Sequence, residues 1–343
     1  MRAAVISLTE NGRKLSARLT ETAAFLEAER FCFHSHCDKN SHTFDDLGDL
    51  VADIFQKYDA LVFICACGIA VRSTAPHLNS KTTDPAVIVI DDCGKFVIPL
   101  LSGHIGGANA LAERIAEVLG AQAAITTATD TGGRFSPDSF AAANGLIITD
   151  MNASKAIACA VLDGEKIGFI SDCGYDNIPP ELCTNTDCRT GIYVGCNDKM
   201  PFPVTLKLVP KNIVLGIGCK RATNCETIER AVKSALDSAG IAFERVICAA
   251  TIDLKADEAG LLGFCEKYGL KLHVFTAQML MEADGDFTSS DFVKSITGVD
   301  NVCERSAVKC SGGRLIMRKT AADGVTVAAA EKPMTLDFER KVL

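Results

Sequence analysis

The sequence predicts a multi-domain α/β protein. Short apolar runs that are typical of buried strands alternate with stretches whose apolar residues recur every three or four positions, as on one face of a helix. This alternation fills the first 130 residues and starts again after the proline-containing stretch Met200–Pro203, which indicates a linker. We therefore expect an N-terminal, mostly parallel sheet with helices on both faces in residues 1–130, a middle region and linker in 131–210, and a separate, smaller C-terminal α/β domain in 211–343.

The N-terminal part contains the clearest strands. Apolar runs occupy residues 3–8, 60–67, 86–90, 96–98 and 121–126. The segment FCFHSHCDKNSH, residues 31–42, combines histidine and cysteine and raises the question of a metal site. Its alternation at positions 31, 33 and 35 predicts a strand with His34 and His36 on the polar face. No complete four-ligand spacing is present, so the strand is the preferred interpretation.

The stretch LSGHIGGANALAERIA, residues 101–116, reads as a strand end, a glycine-rich turn and the start of an amphipathic helix. Gly103, Gly106 and Gly107 leave the backbone bare around Ser102 and His104. A helix N-terminus in such a turn can receive an anionic or carbonyl group of a ligand. The same pattern also fits a close strand-to-helix packing turn without a ligand, and the pattern alone does not separate the two.

The C-terminal part repeats the strand–helix pattern. Strands are expected at NIVLGIGC, RVICAATIDL and KLHVFT. Helices are expected along the apolar stripe of residues 228–236, over EAGLLGFCEKYG, and at about 291–295 and 302–308. The final segment GRLIMRKTAADGVTVAAA predicts a β-hairpin that turns at Asp323-Gly324.

Composition excludes several classes of protein. The net charge of -8 argues against a broad nucleic-acid-binding surface. No apolar run reaches the roughly 18 residues of a membrane span, and the N-terminus lacks the pattern of a signal peptide, so we expect a cytoplasmic protein. The sixteen cysteines form no CxxC pair, so free thiols are expected rather than a metal or disulfide framework.

Charged side chains follow several predicted strands. Lys220 and Arg221 follow GIGC, whose pattern lacks the third glycine of a dinucleotide-binding fingerprint; they either bind carboxylates or form a solvated turn. Asp253 and Lys255 precede the next helix on the same edge. Asp257 and Glu258 are expected in that helix's first turn, where acids have a structural role.

Four further residues belong to this set of candidates. Arg72 is expected one turn into the helix after the 60–67 strand, where an arginine is commonly solvated. Glu304 and Arg305 begin another helix, where capping and an ion pair are the alternative to a role in chemistry. Among the few histidines, His104 alone lies in a glycine-rich turn and is our first choice for proton transfer.

Several longer motifs occur together in one order. They are CGIAVR, NSKTTDPAVIVID, LLSGHIGGAN, ITTATD, GIGCKRAT, ATIDLKADEAGLL and TGVDNVCERSA. With these motifs the chain resembles the CbiG family, the cobalt-precorrin-5A hydrolases of anaerobic cobalamin biosynthesis, from about Ala60 to Asp130 and from Asn212 to Ala330. The resemblance implies an enzyme that opens a δ-lactone on a cobalt-bearing macrocycle with water, releases acetaldehyde and yields cobalt-precorrin-5B.

The resemblance also implies that cobalt arrives inside the substrate, so no cofactor and no metal site in the protein are expected. From chemistry and placement, the catalytic candidates are His104, with Asp253 and Glu304 in reserve. The candidates for binding the polyanionic substrate and the developing oxyanion are Arg72, Lys81, Ser102, Gly103, Gly106, Gly107, Asn109, Lys220, Arg221, Lys255 and Arg305. The alternative function is a non-catalytic tetrapyrrole carrier that hands intermediates to the pathway's methyltransferases.

Overall fold

The residues that the structure describes form four sheets: one of seven strands, two of five strands and one ribbon of two. The computed structural model describes residues 1–80, 83–103, 106–127 and 134–340. The strands are β1 Arg2–Ser7, β2 Glu27–Phe33, β3 His42–Phe44, β4 Ala60–Ile64, β5 Ala86–Ile90, β6 Phe96–Leu101, β7 Gln122–Ala123, β8 Leu146–Ile148, β9 Ile167–Ser171, β10 Gly174–Asp176, β11 Leu182–Cys183, β12 Thr190–Val194, β13 Val204–Pro210, β14 Ile213–Cys219, β15 Val246–Ile252, β16 Lys271–Phe275, β17 Arg314–Ala322, β18 Val325–Glu331 and β19 Thr335–Asp337.

The helices connect these strands and cover the sheets. They are α1 Glu10–Thr22, α2 Leu47–Ile54, α3 Cys67–Thr74, α4 Ala108–Leu119, α5 Pro137–Ala143, α6 Met151–Leu162, α7 Cys225–Ser238, α8 Ala259–Lys267, α9 Ala277–Met281, α10 Asp291–Thr297 and α11 Val302–Ser311. Within the described residues, no helix has the length and apolar character that crossing a bilayer requires.

The N-terminal sheet has the order β3-β2-β1-β4-β5-β6-β7. Its strands pair in parallel except β5 with β6. Alternate residues of β1 lie in two different cores, Ala3 and Val5 with α1 and α4, Ala4 and Ile6 with α2 and α3. A strand buried on both faces reads as a continuous apolar run, so the predicted α/β class with helices on both faces is confirmed.

One prediction in this region is wrong. Strand β2 ends at Phe33, which is paired with Phe44, the last residue of β3. Residues His34–His36 then form a 3-10 turn instead of continuing the strand. The His34 ring packs on Phe33, and its Nδ1 lies 3.2 Å from an Asp45 carboxylate oxygen. Alternation over three positions could not distinguish a short turn from a strand end.

The middle region has its own sheet, in the order β11-β9-β12-β13-β8. The end of the chain returns to it: β19 pairs in parallel with β10, and the Phe338 ring stacks on Phe140 at 4.3 Å. The division at residues 130 and 210 stays a prediction, and this last segment packs with the middle region although it follows the C-terminal sheet in sequence.

The C-terminal sheet has the order β16-β15-β14-β18-β17. Strands β14, β15 and β16 are parallel, and β18 and β17 add antiparallel as the predicted hairpin, which turns at Asp323 and Gly324, both with positive φ. Helices α7 and α8 cover one face of the sheet, and α11 packs on the other. The two C-terminal helices predicted at 291–295 and 302–308 are present as α10 and α11.

Candidate active site

A cavity of about 800 Å³ opens where β14 and β15 end. The carboxyl ends of parallel strands are the usual place for ligands in open α/β sheets, and this volume lies in the upper part of the range for small-molecule sites. Its lining residues are Gly218, Cys219, Lys220, Arg221, Ile252, Leu254, Lys255, Val293, Ile296, Thr297, Asn301, Val302, Cys303, Lys319, Ala321, Gly324, Val325 and Thr326.

Two glycines of the GIGC segment allow the cavity to form. A Cβ on Gly216 would lie 1.8 Å from the carbonyl oxygen of Cys303, and a Cβ on Gly218 would lie 2.6 Å from Oγ1 of Thr326. Helix α11 therefore approaches β14 at a distance that only glycine permits, because the atom that a Cβ on Gly216 would meet belongs to the backbone. At Gly218 the close atom is the side-chain hydroxyl of Thr326, its partner in the β14–β18 ladder. The pattern that looks like a nucleotide-binding turn thus places α11 and the hairpin against one strand.

The walls of the cavity are largely apolar. Leu254 and Ile296 line it, and 47% of the surface of Leu254 and 61% of that of Ile296 remain exposed to solvent. Val293 and Val302 continue this surface. Large apolar side chains that remain exposed around a concave surface are typical of a ligand-binding site.

Four cations surround this apolar surface: Lys220, Arg221, Lys255 and Lys319. Lys220 and Arg221 are exposed, and within the described residues neither forms an ion pair with a carboxylate. Cations that converge on one cavity create a positive potential there, and arginine binds carboxylates in bidentate geometry. The cavity is therefore suited to an apolar body that carries several acidic groups.

Glu258 connects two of the turns that carry these cations. Its carboxylate accepts hydrogen bonds from Lys255 Nζ at 2.7 Å and from the backbone N–H of Ala222 at 3.0 Å. Ala222 adopts a left-handed conformation with φ of 59°. The hydrogen bond from Lys255 holds the pKa of Glu258 below its usual value, against the opposing effect of burial. Glu258 immediately precedes α8 rather than lying in its first turn, and its role is to brace the Arg221 turn.

Glu304 is fully buried behind the cavity wall. Its carboxyl oxygens accept hydrogen bonds from Thr288 N at 2.7 Å, Thr288 Oγ1 at 3.0 Å and Lys319 N at 2.7 Å. It is not among the residues that line the cavity. This arrangement ties the loop before α10 and strand β17 to the start of α11, where the helix dipole favours an acid.

Arg305 is also engaged within the protein. Its guanidinium lies 2.7 Å from Asp300, donates to the carbonyls of Leu280 and Ala283, and lies over the Phe287 ring. The ion-pair alternative describes Arg305, which pairs with Asp300. Asn301 caps α11, and the Glu304 carboxylate instead accepts hydrogen bonds from Thr288 and Lys319.

Asp253 and Cys303 are the remaining polar groups near the cavity. Asp253 is exposed in the 3-10 turn Asp253–Lys255, beside the lining residue Leu254. Cys303 lines the cavity and is buried, and this burial raises the pKa of its thiol to about 11. A thiol that stays protonated at neutral pH is a poor nucleophile, so Asp253 is the more suitable of the two for proton transfer.

The residues of the N-terminal glycine turn pack tightly against one another. Ser102 has φ of 57° and donates to the carbonyl of Asp84 at 3.0 Å. A Cβ on Gly106 would lie 2.4 Å from that of Ser102, one on Gly103 would lie 2.7 Å from Oδ1 of Asn109, and Gly107 has φ of 77°. Each of these glycines is explained by packing within the turn, which agrees with the packing alternative without excluding a ligand.

The structure thus brings together three of the predicted binding residues, Lys220, Arg221 and Lys255. The cavity lining comes from residues 218–326, so it does not include Ser102, Gly103, Gly106, Gly107, Asn109 or Arg72, which is exposed on α3. His104 and Lys81 lie outside the described residues.

Sequence reasoning missed Lys319 and Ile296 as lining residues. Lys319 lies within the hairpin strand β17, where nothing in the local pattern distinguishes a cavity-facing lysine from a solvated one. Ile296 lies on α10, where an apolar residue in a short helix predicts burial in a core.

Two family models match the chain. The Cobalamin synthesis G N-terminal model matches residues 49–130, and the Cobalamin synthesis G C-terminus model matches residues 213–330. The chain belongs to the CbiG family. The second match contains every residue of the cavity lining, and the first contains Arg72 and the glycine turn.

Curated relatives cover almost the whole chain. It is 33% identical to the cobalt-precorrin-5A hydrolase of Salmonella typhimurium, over 94% of this chain and 96% of that protein. It is 29% identical to the cobalt-precorrin-5A hydrolase of Priestia megaterium, over 96% and 95%. It is 26% identical to the probable cobalt-precorrin-5A hydrolase of Methanocaldococcus jannaschii, over 95% and 98%.

Proposed function

We propose that this chain hydrolyses cobalt-precorrin-5A as an enzyme of cobalamin biosynthesis. The observation that carries the proposal is the match to two proteins of that name at 33% and 29% identity over nearly the full length of both partners. A carrier without catalysis is not favoured, because these relatives are named as hydrolases.

The proposed reaction consumes one water and releases one two-carbon fragment. Water adds to the lactone carbonyl, and the ring C–O bond breaks to leave a carboxylate and an alcohol. Loss of the alcohol proton then breaks the adjacent C–C bond, which releases acetaldehyde. The macrocycle takes up the electron pair and a proton, so the products are acetaldehyde and cobalt-precorrin-5B. Such a sequence needs a base for water and for the alcohol, and donors for the developing oxyanion.

The C-terminal cavity supports this proposal through its chemistry. Apolar walls that include Leu254 and Ile296 suit the flat body of a macrocycle, and the four cations suit its acetate and propionate arms. Cobalt enters as part of this substrate, and the prediction that the reaction needs no further cofactor stays a prediction. Delivery of the product to methyltransferases of the pathway is part of the same proposal.

The assignment of catalytic groups is our hypothesis. His104 is proposed to activate water or to protonate the departing group, and the Ser102–Gly107 backbone to donate to the oxyanion. Asp253, exposed beside the cavity, is the reserve acid or base. The substrate would have to contact both the N-terminal turn and the cavity for these roles to be combined.

The test is an anaerobic assay of the full-length protein with cobalt-precorrin-5A, in which free acetaldehyde is measured. Wild-type protein is expected to release stoichiometric acetaldehyde, and His104→Ala to lose about 100-fold or more in kcat, as for a lost general acid or base. The matched control is His34→Ala, since His34 is an exposed histidine paired with an exposed acid. Binding without acetaldehyde would support the carrier, and a near wild-type rate in His104→Ala would exclude that histidine from proton transfer.

A further inference from the structure

Three metal-ligating side chains meet on the α11 side of the C-terminal sheet. They are Cys248 of β15, His273 of β16 and Cys310 of α11. Their ligand atoms all lie within 4.8 Å of one another, and the two sulfurs are 3.8 Å apart. None of the three lines the cavity described above.

The register of the sheet explains why the first two residues meet. Cys248 is paired with Lys271, and Ala250 with His273, so Cys248 and His273 lie on the same face of adjacent strands, offset by two residues. This face forms a small core that includes Cys248 and Ala250, with Cys310 packed against it.

Helix α11, which packs on this face of the sheet, supplies the third residue. The hydroxyl of Ser306 donates to the carbonyl of Ala250 at 3.2 Å, which fixes the helix over β15. Cys310 follows Ser306 by four positions and therefore lies on the same side of the helix. Three separate elements of secondary structure hold the three side chains, which restricts their relative movement.

The distances match those of a tetrahedral metal site. Thiolates bind Zn²⁺ at about 2.3 Å, so two of them on one tetrahedral ion are about 3.8 Å apart; a disulfide would need about 2.05 Å. We propose that Cys248, His273 and Cys310 bind one borderline-soft divalent ion of the Zn²⁺ type, with water in the fourth position. Cys248 is buried and the other two residues are half-buried, so the ion has a route from solvent.

The two thiols share a hydrogen bond that lowers the pKa of Cys248 and raises that of Cys310, so in the absence of an ion the pair keeps a proton. A bound ion would displace that proton. The thiolate is the form that binds metals, and two thiolates would neutralise a divalent ion.

The position of the ion assigns it a structural role. Cys310 lies near the C-terminal end of α11, whereas Asn301, Val302 and Cys303 at the other end line the cavity. An ion bound at Cys310 attaches α11 to β15 and β16, and so holds the helix whose first turn forms the cavity wall. This inference is independent of the substrate that the cavity accepts.

The direct test is a titration of full-length protein with Co²⁺, after anaerobic purification with a reductant and a chelator that is then removed. Co²⁺ occupies tetrahedral Zn²⁺ sites, and its thiolate charge-transfer band reports coordination by sulfur. One equivalent is expected to produce the band, and one equivalent of Zn²⁺ to abolish it. Cys310→Ser and His273→Ala should each weaken Co²⁺ affinity about 100-fold or more, since even residues behind the ligands cost about 10- to 100-fold.

The matched control is Cys188→Ser. Cys183 and Cys188 form another close thiol pair, with sulfurs 3.3 Å apart. Neither belongs to the group of three potential ligands found among the described residues. The Cys188→Ser variant should bind Co²⁺ as the wild type does. A band that survives in Cys310→Ser and His273→Ala, or no band in the wild type, would overturn the proposal.

Thermal unfolding supplies a second readout. An ion that binds only the folded state raises the Tm by an amount that grows with the logarithm of its free concentration above Kd, so Zn²⁺ should raise the Tm of the wild type and of Cys188→Ser. It should leave the Tm of Cys310→Ser unchanged. If Cys310→Ser fails to fold, His273→Ala provides the same comparison, because it leaves both thiols in place.

Discussion

Two glycine-containing turns of this chain look alike in sequence and differ in what their glycines do. In the N-terminal turn, Gly103 and Gly106 avoid clashes with Asn109 and Ser102 of the same turn. At the end of β14, Gly216 and Gly218 instead make room for α11 and for the β17–β18 hairpin, which lie about 80 to 110 residues further along the chain.

The consequence of this difference is a cavity in one region. Glycines that accept only local neighbours produce a tight turn, whereas glycines that accept distant elements allow those elements to surround a space. A glycine-rich turn is therefore evidence for a site only when the fold brings other elements to it. In this protein the cations of the β14 turn, Lys220 and Arg221, face such a space.

The largest expected effect is at Gly216. Gly216→Ala places a Cβ 1.8 Å from the carbonyl oxygen of Cys303, so α11 must move. We expect the free energy of unfolding to fall by at least about 4 kcal/mol, at the upper end for a point substitution. Urea unfolding measures this change, and acetaldehyde release should fall with it because α11 forms the cavity wall.

The matched control is Gly263→Ala within α8. A Cβ there would lie 3.9 Å from its nearest neighbour, the Cβ of Cys225, so the substitution should raise stability by about 0.5–1 kcal/mol through helix propensity. Equal stability of both variants would show that the contact of α11 with β14 does not require glycine.

The second effect concerns binding. Replacing both Lys220 and Arg221 with alanine removes two exposed cations from the cavity rim. Two charge-assisted hydrogen bonds are together worth about 3 kcal/mol, so we expect KM for cobalt-precorrin-5A to rise about 100-fold. Steady-state kinetics at two salt concentrations measure it, and the wild type should show the steeper salt dependence.

The effect of Arg72→Ala on KM tests whether the N-terminal region also binds the substrate. Arg72 does not line the cavity, and a single contact with the substrate predicts a rise in KM of about 10-fold or less. A rise as large as that of the Lys220 and Arg221 double variant would show that both regions contribute equally to binding.

The sequence was sufficient to predict the strands and helices along the chain that carry the candidate residues, but not the contacts between them. Apolar runs and glycine punctuation predicted the α/β class and placed Lys220, Arg221 and Lys255 at strand ends, because these features depend on local periodicity. Lys319 enters the cavity through the pairing of β17 with β18, and Cys310 reaches Cys248 across 62 residues. Such contacts depend on sheet register and helix packing, which no local pattern records.

The third prediction tests whether Glu304 has a structural role or acts as an acid or base in catalysis. Glu304→Gln keeps the size of the buried side chain but replaces one oxygen with an amino group, which cannot accept from Thr288 N or Lys319 N. We expect the free energy of unfolding to fall by about 2 kcal/mol, while kcat per folded molecule changes less than about twofold. A large loss of kcat at unchanged stability would restore Glu304 as an acid or base.

The smallest effect tests the brace that holds the Arg221 turn. Glu258→Gln removes the charge that Lys255 Nζ and Ala222 N–H contact, and should cost about 1 kcal/mol at neutral pH. The pKa of Glu258 is lower in the folded protein than in the unfolded chain. Its contribution is therefore fully present above the unfolded value of about 4.3 and is lost as pH falls through the folded value.

The stability difference between wild type and Glu258→Gln should accordingly shrink as the pH falls below about 4. Urea unfolding at a series of pH values measures it, with Asp257→Asn as the control, since Asp257 is the exposed neighbour. KM should rise in Glu258→Gln but not in Asp257→Asn, because only Glu258 fixes the backbone next to Arg221. A pH-independent difference would mean that the side chain acts through packing, and the positive rim of the cavity would then not depend on this ion pair.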